Sequence, residues 1–207
     1  MKNETKITTL FLDIGGVLLS NGWGHEFRQQ AADKYDLDIH EMEERHGLMF
    51  VTYEEGNISL EEYLHRLVFY QKRDFTFDQF RDFMFSLTTP FIDMIAFIKK
   101  LKTQYGLKII VVSNEAKELN AYRIQQFQLS SFVDFFISSC YVHLRKPDAN
   151  IFKLALDLAQ VSAEQVVYID DVQLFVDVAA DLGIRGIHHI NYLSSKSELA
   201  TMGLMIE

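Results

Sequence analysis

Short apolar runs recur along the chain and alternate, in its second half, with segments of helical spacing. The runs predict five strands, at residues 9–12, 108–112, 135–138, 166–169 and 186–190. The segments between the last four runs predict helices at residues 117–127, 149–158 and 174–182. This alternation favours an α/β fold with a doubly wound parallel sheet, because parallel strands are joined by crossover helices. Right-handed crossovers would bring the C-terminal ends of all the strands to one edge.

A long block with few strand-like runs separates the first two predicted strands. Its periodicity predicts four amphipathic helices, at residues 25–35, 39–51, 59–70 and 77–87, before a further helix at residues 91–101. Ser59 and Glu62 have the spacing of a capping box. We expect residues 20–87 to form a small helical domain, and residues 1–19 and 88–207 to form the α/β core. Seven aromatic residues of the block are expected to build its hydrophobic interior: Phe69, Tyr70, Phe75, Phe77, Phe80, Phe83 and Phe85.

The net charge and the cysteine content limit which partners and which cellular compartment we expect. The formal net charge of −9 disfavours non-specific nucleic-acid binding, which depends on lysine and arginine contacts to phosphate. Cys140 is the single cysteine of the sequence and follows an apolar run, so we expect it to be buried and the compartment to be reducing and cytoplasmic. The stretch Met1–Lys6 has no apolar segment typical of a signal peptide, and no run predicts a membrane-spanning helix.

Polar residues follow four of the predicted strands. Asp13 ends the first run, Ser113-Asn114 follows the second, and Asp170-Asp171 follows the fourth. Lys146, in the loop Lys146-Pro147-Asp148, comes shortly after the third. In a parallel sheet these groups converge on one crevice at the carboxyl edge, where α/β proteins bind ligands.

The order and context of these residues resemble the four motifs of the haloacid dehalogenase-like (HAD) superfamily. Asp13 matches the first motif, Ser113 the second, Lys146 the third and Asp170-Asp171 the fourth, so the resemblance covers essentially the whole chain. The resemblance implies an α/β core with an α-helical cap inserted after the first motif, which corresponds to residues 20–87. It also implies a hydrolase, most often a Mg²⁺-dependent phosphatase that acts through an aspartyl-phosphate.

The residue types suit phosphoryl transfer. A carboxylate such as Asp13 can attack phosphorus and split one difficult step into two. Because Asp13 and phosphate repel each other, cations must intervene, and Lys146 and Mg²⁺ are the candidates. Alternatives are an exposed surface lysine at 146 and helix-capping roles for Ser113-Asn114 and Asp170-Asp171.

The resemblance assigns roles to individual positions. Asp13 is expected to be the nucleophile and, with Asp171 and the backbone carbonyl of Gly15, to hold Mg²⁺, with Asp170 as a neighbour of the ion. Ser113 and Lys146 are expected to act on the phosphoryl group. The Ser113 hydroxyl, the Asn114 backbone N–H and the Lys146 ammonium would bind the phosphate.

Gly15 is the largest departure from the family pattern. Phosphatases of the family carry a second aspartate there as general acid and base, which is typically worth about 10²–10⁴-fold in rate. Glu115, His25 and His143 are candidate replacements. Glycine at this position also occurs in a branch that resembles sugar-phosphate phosphatases. The alternatives are a catalytically degenerate protein that binds a ligand or partner, and a haloacid dehalogenase, although the retained pair Asp170-Asp171 favours the phosphate-directed branch.

The segment that leads into the helical block carries the candidate specificity residues. Gly22 and Gly24 flank Trp23 at the expected hinge, and His25 and Arg28 follow. Trp23 is expected either to line the site or to anchor the helical block, and His25 and Arg28 are candidates to touch an anionic or hydroxylated substrate. By analogy with the family, a cap of this size favours a small phosphorylated metabolite, such as a sugar phosphate, over a protein or a nucleic acid. The sequence leaves the oligomeric state open.

Overall fold

The computed structural model describes residues 6–206 and contains a five-stranded, entirely parallel sheet. The spatial order of the strands is β3-β2-β1-β4-β5. The order reverses at β1, which creates the crevice where doubly wound sheets bind ligands. The predicted α/β fold is therefore confirmed. The strands are β1 (Thr9–Leu12), β2 (Lys108–Ser113), β3 (Phe135–Ser138), β4 (Val166–Asp170) and β5 (Arg185–His188).

The strand register brings the polar exits of the three central strands together. Leu12 of β1 lies opposite Val111 of β2 and Ile169 of β4. The next residue, Asp13, donates its backbone N–H to the carbonyl of Ile169 at 3.0 Å. Asp13, Ser113 and Asp170 consequently lie at the same edge of the sheet.

Helices cover both faces of the sheet because successive strand residues point to opposite sides. Leu10 and Leu12 belong to one buried hydrophobic cluster, whereas Phe11 belongs to a second cluster on the other face. The helices that follow or flank the strands are α5 (Ile92–Tyr105), α6 (Lys117–Gln126), α7 (Ser139–Val142), α8 (Ala149–Ala159), α9 (Gln173–Asp181) and α10 (Tyr192–Thr201).

Four helices lie between β1 and α5, and their buried residues form a hydrophobic cluster that also includes Ala116 and Leu119 of the α/β core. The predicted capping box at Ser59 is present, with its reciprocal bonds to Glu62. Six of the seven aromatic residues of the block are buried or packed against this cluster, as expected, whereas Tyr70 is partly exposed. The helices are α1 (His25–Tyr35), α2 (Ile39–Glu54), α3 (Leu60–Leu67) and α4 (Phe77–Ser86).

The chain leaves and re-enters the sheet region at one place. The backbone N–H of Ser20 donates to the carbonyl of Thr89 at 2.8 Å, and the Thr89 N–H donates to the Ser20 hydroxyl at 3.0 Å. The side chain of Arg123, which is fully buried, donates to the carbonyl of Ser20. The two connections to the helical block are thereby fixed side by side on the α/β core.

Several expected boundaries were wrong. β5 begins one residue and ends two residues earlier than residues 186–190, and the chain leaves the sheet before Asn191, which caps α10. Helices α7 and α10 were not expected. Ser113-Asn114 does not cap the next helix, since α6 begins after Ala116 without a side-chain cap. Asp170 accepts the Val172 N–H at 2.8 Å, but α9 begins after Val172 without a side-chain cap.

Two expectations concern the termini and membranes. Residues 1–5, where we expect no signal peptide, lie outside the described residues. Over residues 6–206, none of the helices is both long enough and apolar enough to cross a bilayer. Cys140 is buried, as expected.

Candidate active site

A buried cation joins the first and fourth strand ends. Lys146 is fully buried, and its Nζ lies 3.0 Å from Asp13 Oδ1 and 2.6 Å from Asp170 Oδ2. The alternative of an exposed lysine at this position is therefore wrong. Asp170 also accepts hydrogen bonds from the Tyr168 hydroxyl and, at 2.8 Å, from the Val172 N–H. Asp170 is thus fixed by three donors.

The loop that carries Lys146 is held by the side chain of Asn114. Asn114 Oδ1 accepts from the Lys146 N–H at 2.8 Å, and Asn114 Nδ2 donates to the Lys146 carbonyl at 2.9 Å. This pair of bonds positions the lysine against Asp13. The neighbouring Ser113 hydroxyl is buried and has no hydrogen-bond partner among residues 6–206. Burying a hydroxyl without a hydrogen-bond partner costs free energy, and such a group is typical of a site that hydrogen-bonds to a ligand.

The pKa values of Asp13, Lys146 and Asp171 are set by burial, which disfavours the charged form of each group, and by the charges of their neighbours. Burial raises the pKa of Asp13 to about 8, although the neighbouring Lys146 works against the rise and Asp170 adds to it. Burial disfavours the charged form of Lys146, but the carboxylates of Asp13 and Asp170 raise its pKa above the ordinary value. Burial, with the adjacent Asp170, also raises the pKa of Asp171. Three acidic groups therefore share one lysine, and a further cation would relieve their repulsion.

The three aspartates can hold a divalent cation. Asp13, Asp170 and Asp171 each offer one carboxylate oxygen, and these oxygens all lie within 4.8 Å of one another. An all-oxygen donor set suits a hard ion such as Mg²⁺. Gly16 has φ +70°, and a Cβ at this position would collide with the Asp171 carboxylate, so the turn after β1 requires glycine for Asp171 to approach. The residues present fit the ion that the resemblance implies.

A cavity of about 280 Å³ opens between this edge of the sheet and the helical block. Asp13, Gly15, Asn114 and Asp171 line it from the core. Opposite them lie residues of the connection to α1 and of α1 and α2, whereas Ser113, Lys146 and Asp170 are fully buried. The lining from the connection and the helices is Asn21, Gly22, Trp23, Gly24, Arg28, His46, Phe50, Tyr53 and Glu54.

A chain of neutral hydrogen bonds orders the helical side of the cavity. Trp23 Nε1 donates to the Tyr63 hydroxyl at 3.0 Å, and that hydroxyl lies 2.6 Å from His46 Nδ1. Because an indole N–H only donates, the Tyr63 proton is assigned to the bond with Nδ1, which leaves the His46 proton on Nε2. Burial lowers the pKa of His46 to about 4. His46 is therefore neutral at pH 7.

The sequence model of haloacid dehalogenase-like hydrolases matches residues 7–174. The chain belongs to this family. It is consequently an enzyme of the hydrolase class.

The curated proteins and solved structures that this chain resembles carry different names. The chain is 34% identical over 86 residues to the bifunctional epoxide hydrolase 2 of Sus scrofa, a match covering 40% of this chain and 16% of that relative. A HAD family enzyme from Bacteroides thetaiotaomicron, solved with magnesium and inorganic phosphate, superposes with a TM-score of 0.72 at 20% identity. That match covers 87% of this chain and 93% of the other. The L-2-haloacid dehalogenase of Xanthobacter autotrophicus superposes with a TM-score of 0.62 at 14% identity. That match covers 97% of this chain and 85% of the dehalogenase.

Two of the three candidate specificity residues of this HAD hydrolase line the cavity. Trp23 lines it and is held by Tyr63. Arg28 also lines it, but its guanidinium is bound to both oxygens of Glu43 at 2.7 and 2.8 Å and to the Trp23 carbonyl. His25 lies outside the lining, exposed and hydrogen-bonded to Glu43.

The candidate replacements for the missing general acid do not all line the cavity. Glu115 lines the cavity and is paired with the buried Arg123. Burial raises the pKa of Glu115, and Arg123 opposes the rise. His143 is exposed, and its Nδ1 lies 2.7 Å from the carbonyl of Glu55. His143 does not belong to the lining of the cavity.

Sequence reasoning missed the face of α2 that this HAD hydrolase turns towards its cavity. His46, Phe50, Tyr53 and Glu54 line the cavity from one helix. Their positions i, i+4, i+7 and i+8 are those of one helical face, so this periodicity was the signal that could have identified them.

Proposed function

We propose that the chain is a Mg²⁺-dependent phosphatase of a small phosphorylated metabolite, such as a sugar phosphate, with Asp13 as its nucleophile. The observation that carries this proposal is the cluster of three carboxylates around Asp13, with Lys146 bonded to two of them. Phosphoryl transfer requires positive charge beside an attacking carboxylate, because the carboxylate and the phosphate repel each other.

The residues would have separate roles in the formation and in the hydrolysis of an aspartyl-phosphate. An Asp13 oxygen attacks phosphorus, the bond from phosphorus to the leaving oxygen breaks, and the leaving oxygen takes a proton from water. Water then attacks the aspartyl-phosphate, which releases inorganic phosphate and restores the Asp13 carboxylate. Lys146 stabilises the charge that develops on the phosphoryl oxygens. The buried Ser113 hydroxyl, which has no hydrogen-bond partner in the described residues, and the Asn114 N–H donate to those oxygens.

The ion would be held by Asp13, Asp171 and the carbonyl of Gly15, with Asp170 beside it. When bound, Mg²⁺ would neutralise part of the negative charge of the phosphate and help to orient it. We also propose that residues 20–87 form the cap that selects the substrate, on a core of residues 1–19 and 88–207. A cytoplasmic location stays a prediction from the single cysteine.

Gly15 makes proton transfer the weak step of this enzyme. Because glycine cannot protonate the leaving oxygen, substrates with good leaving groups should be favoured. A Cβ at residue 15 would meet Asn21 Oδ1 at 3.2 Å, so a side chain fits here if Asn21 shifts slightly. The Gly15→Asp variant should therefore hydrolyse alkyl phosphates about 10²–10⁴-fold faster than the wild type.

The test compares hydrolysis of an aryl phosphate and an alkyl phosphate, with and without Mg²⁺. Asp13→Asn should lose aryl phosphate hydrolysis by at least about 10³-fold. Gly15→Asn is the matched control for Gly15→Asp, since it adds a similar volume without an acid. A wild type without turnover whose activity appears only in Gly15→Asp would show a degenerate protein. Halide release from a 2-haloacid without Mg²⁺ would indicate a dehalogenase.

A further inference from the structure

Two carboxylates face the cavity away from the aspartate cluster. Glu54 comes from α2 and Glu115 from the segment after β2, and both line the cavity. Each is paired with an arginine: Glu54 Oε2 lies 2.7 Å from Arg145 Nη2, and Glu115 binds Arg123. Neither arginine belongs to the lining. A ligand in the cavity would therefore meet the carboxylates and not the guanidinium groups.

Among residues 6–206, none lines the cavity with an unpaired positive charge that could bind a second anionic group of a ligand. Within the described part of the chain, Arg28 is the only lysine or arginine that lines this cavity, and Glu43 and the Trp23 carbonyl occupy its guanidinium. Lys146 is fully buried against Asp13 and Asp170. A second anionic group on the substrate would have to lose its hydration beside carboxylates without gaining a cation.

The remaining lining suits an uncharged group that carries hydroxyls. Glu54 and Glu115 are acceptors for hydroxyl donors, and the neutral His46 offers a hydrogen bond from its ordered ring. Trp23 and Phe50 supply apolar faces. Phe50 is itself fixed, because it stacks on His46 with ring centroids 5.2 Å apart and Arg145 lies 5.1 Å from its centroid.

We propose that Glu54 and Glu115 select a leaving group that is uncharged and bears hydroxyls, and that they reject phosphate esters with a second anionic group. This inference rests on the proposed function, because it concerns the part of the substrate that the reaction releases. Selection by a repulsive group is a general way to reject a near relative of the true ligand.

Two three-carbon esters test the charge rule. Glycerol 3-phosphate and 3-phosphoglycerate differ only in a hydroxymethyl group that is replaced by a carboxylate. For the wild type with Mg²⁺, kcat/KM should favour glycerol 3-phosphate by at least about 100-fold, since like charges in a desolvated site cost several kcal/mol. Glu54→Gln, which keeps the shape but removes the charge, should narrow this ratio about tenfold.

Glu44→Gln is the matched control, because Glu44 lies exposed on the same helix and outside the cavity lining. It makes the same change in net charge and should leave the ratio of the two substrates unchanged. A merely structural effect of Glu54→Gln would lower both kcat/KM values together and would not move their ratio. Equal kcat/KM for the two esters in the wild type would overturn the proposal.

Equilibrium binding separates this inference from the proposed function. The two esters are titrated into Asp13→Asn in the presence of Mg²⁺, where no covalent step can occur. If the wild type turns over neither these esters nor an aryl phosphate, phosphatase function fails, and the ratio of dissociation constants still decides the charge rule. If aryl phosphate is hydrolysed but both esters bind equally well, the charge rule alone is wrong.

Discussion

The two sides of the cavity rely on different kinds of polar contact. On the sheet side, a fully buried lysine is bonded to two carboxylates, and a third carboxylate lies beside them. On the helical side, Trp23, Tyr63 and His46 form a chain of hydrogen bonds between uncharged groups. We name these the charged wall (Asp13, Lys146, Asp170 and Asp171) and the neutral wall (Trp23, Tyr63 and His46). The carboxylate of Glu54, which also faces the cavity from α2, is paired with Arg145 and belongs to neither.

The difference matches what each side would do to a substrate. Buried charges interact strongly with a charged reacting group, but each depends on its partners, because an unpaired charge in the interior is very costly. A neutral network places rings and donors without attracting a second charge. We therefore expect changes on the sheet side to alter stability and chemistry together, and changes on the helical side to alter selectivity more than chemistry.

Lys146→Met should produce the largest effect on stability. The change leaves the Asp170 carboxylate buried without its cation, which should lower the free energy of unfolding by about 3–5 kcal/mol at pH 7. Hydrolysis of an aryl phosphate should fall as well, because the proposed stabilisation of the phosphoryl oxygens by Lys146 is lost. Urea denaturation of the Mg²⁺-free proteins measures the first effect.

Lys153→Met is the control, since Lys153 is exposed on α8. It removes the same charge from the surface and should change the free energy of unfolding by less than about 0.5 kcal/mol. Similar denaturation midpoints for the two variants would contradict the importance of the buried cation and remove the contrast between the two walls.

The sequence predicted the charged wall more completely than the neutral one. Asp13, Ser113 and Asp170 follow apolar runs at strand ends, and parallel strand order alone brings such exits together. The role of Asn114 was less visible, because its side chain holds the Lys146 backbone across 32 residues of sequence. Contacts of this kind depend on the path of a loop, which no periodicity encodes.

The neutral wall was harder to predict because α2 has two faces to satisfy. Met42 packs in the hydrophobic cluster of the helical block, whereas His46 and Glu54 face the cavity. From sequence both faces read as ordinary amphipathic helix. Helices α7 and α10 were missed because they lack a clear apolar periodicity. α7 has only four residues, and α10, which Asn191 caps, has an unbroken polar stretch at residues 194–198.

Tyr63→Phe should have the next largest effect and should test the neutral wall. The fully buried hydroxyl of Tyr63 bonds Trp23 and His46, so its removal leaves two polar groups without a partner. The free energy of unfolding should fall by about 1–3 kcal/mol. Aryl phosphate turnover per folded molecule should stay within about threefold, because the proposed reaction gives these residues no role at the phosphoryl group.

Tyr122→Phe provides the comparison for that prediction, since Tyr122 packs at the edge of the same hydrophobic cluster, where it contacts Phe85. Its change should affect stability less than Tyr63→Phe. A loss of aryl phosphate turnover in Tyr63→Phe as large as that in Lys146→Met would show that the two walls do not divide the work as proposed.

The smallest expected effect is a pH dependence of opposite sign on the two walls. The pKa of His46 is lowered to about 4, below its value of about 6.5 in an unfolded chain. Its contribution to stability is therefore present above pH 6.5 and is lost as the pH falls through 4. The pKa of Asp13 is raised to about 8, so its contribution is present below pH 4 and is lost as the pH rises through 8.

Urea denaturation of the Mg²⁺-free protein at pH 7 and pH 5 should separate the two contributions. Relative to the wild type, His46→Gln should gain about 1 kcal/mol of unfolding free energy on acidification, because the group that resists protonation is gone. Asp13→Asn should shift the other way, since it lacks the carboxyl whose protonation favours the folded state. If the unfolding free energy of both variants changes with the same sign relative to the wild type, the two walls do not titrate independently. Such a result would show that the charged wall is electrostatically coupled to His46.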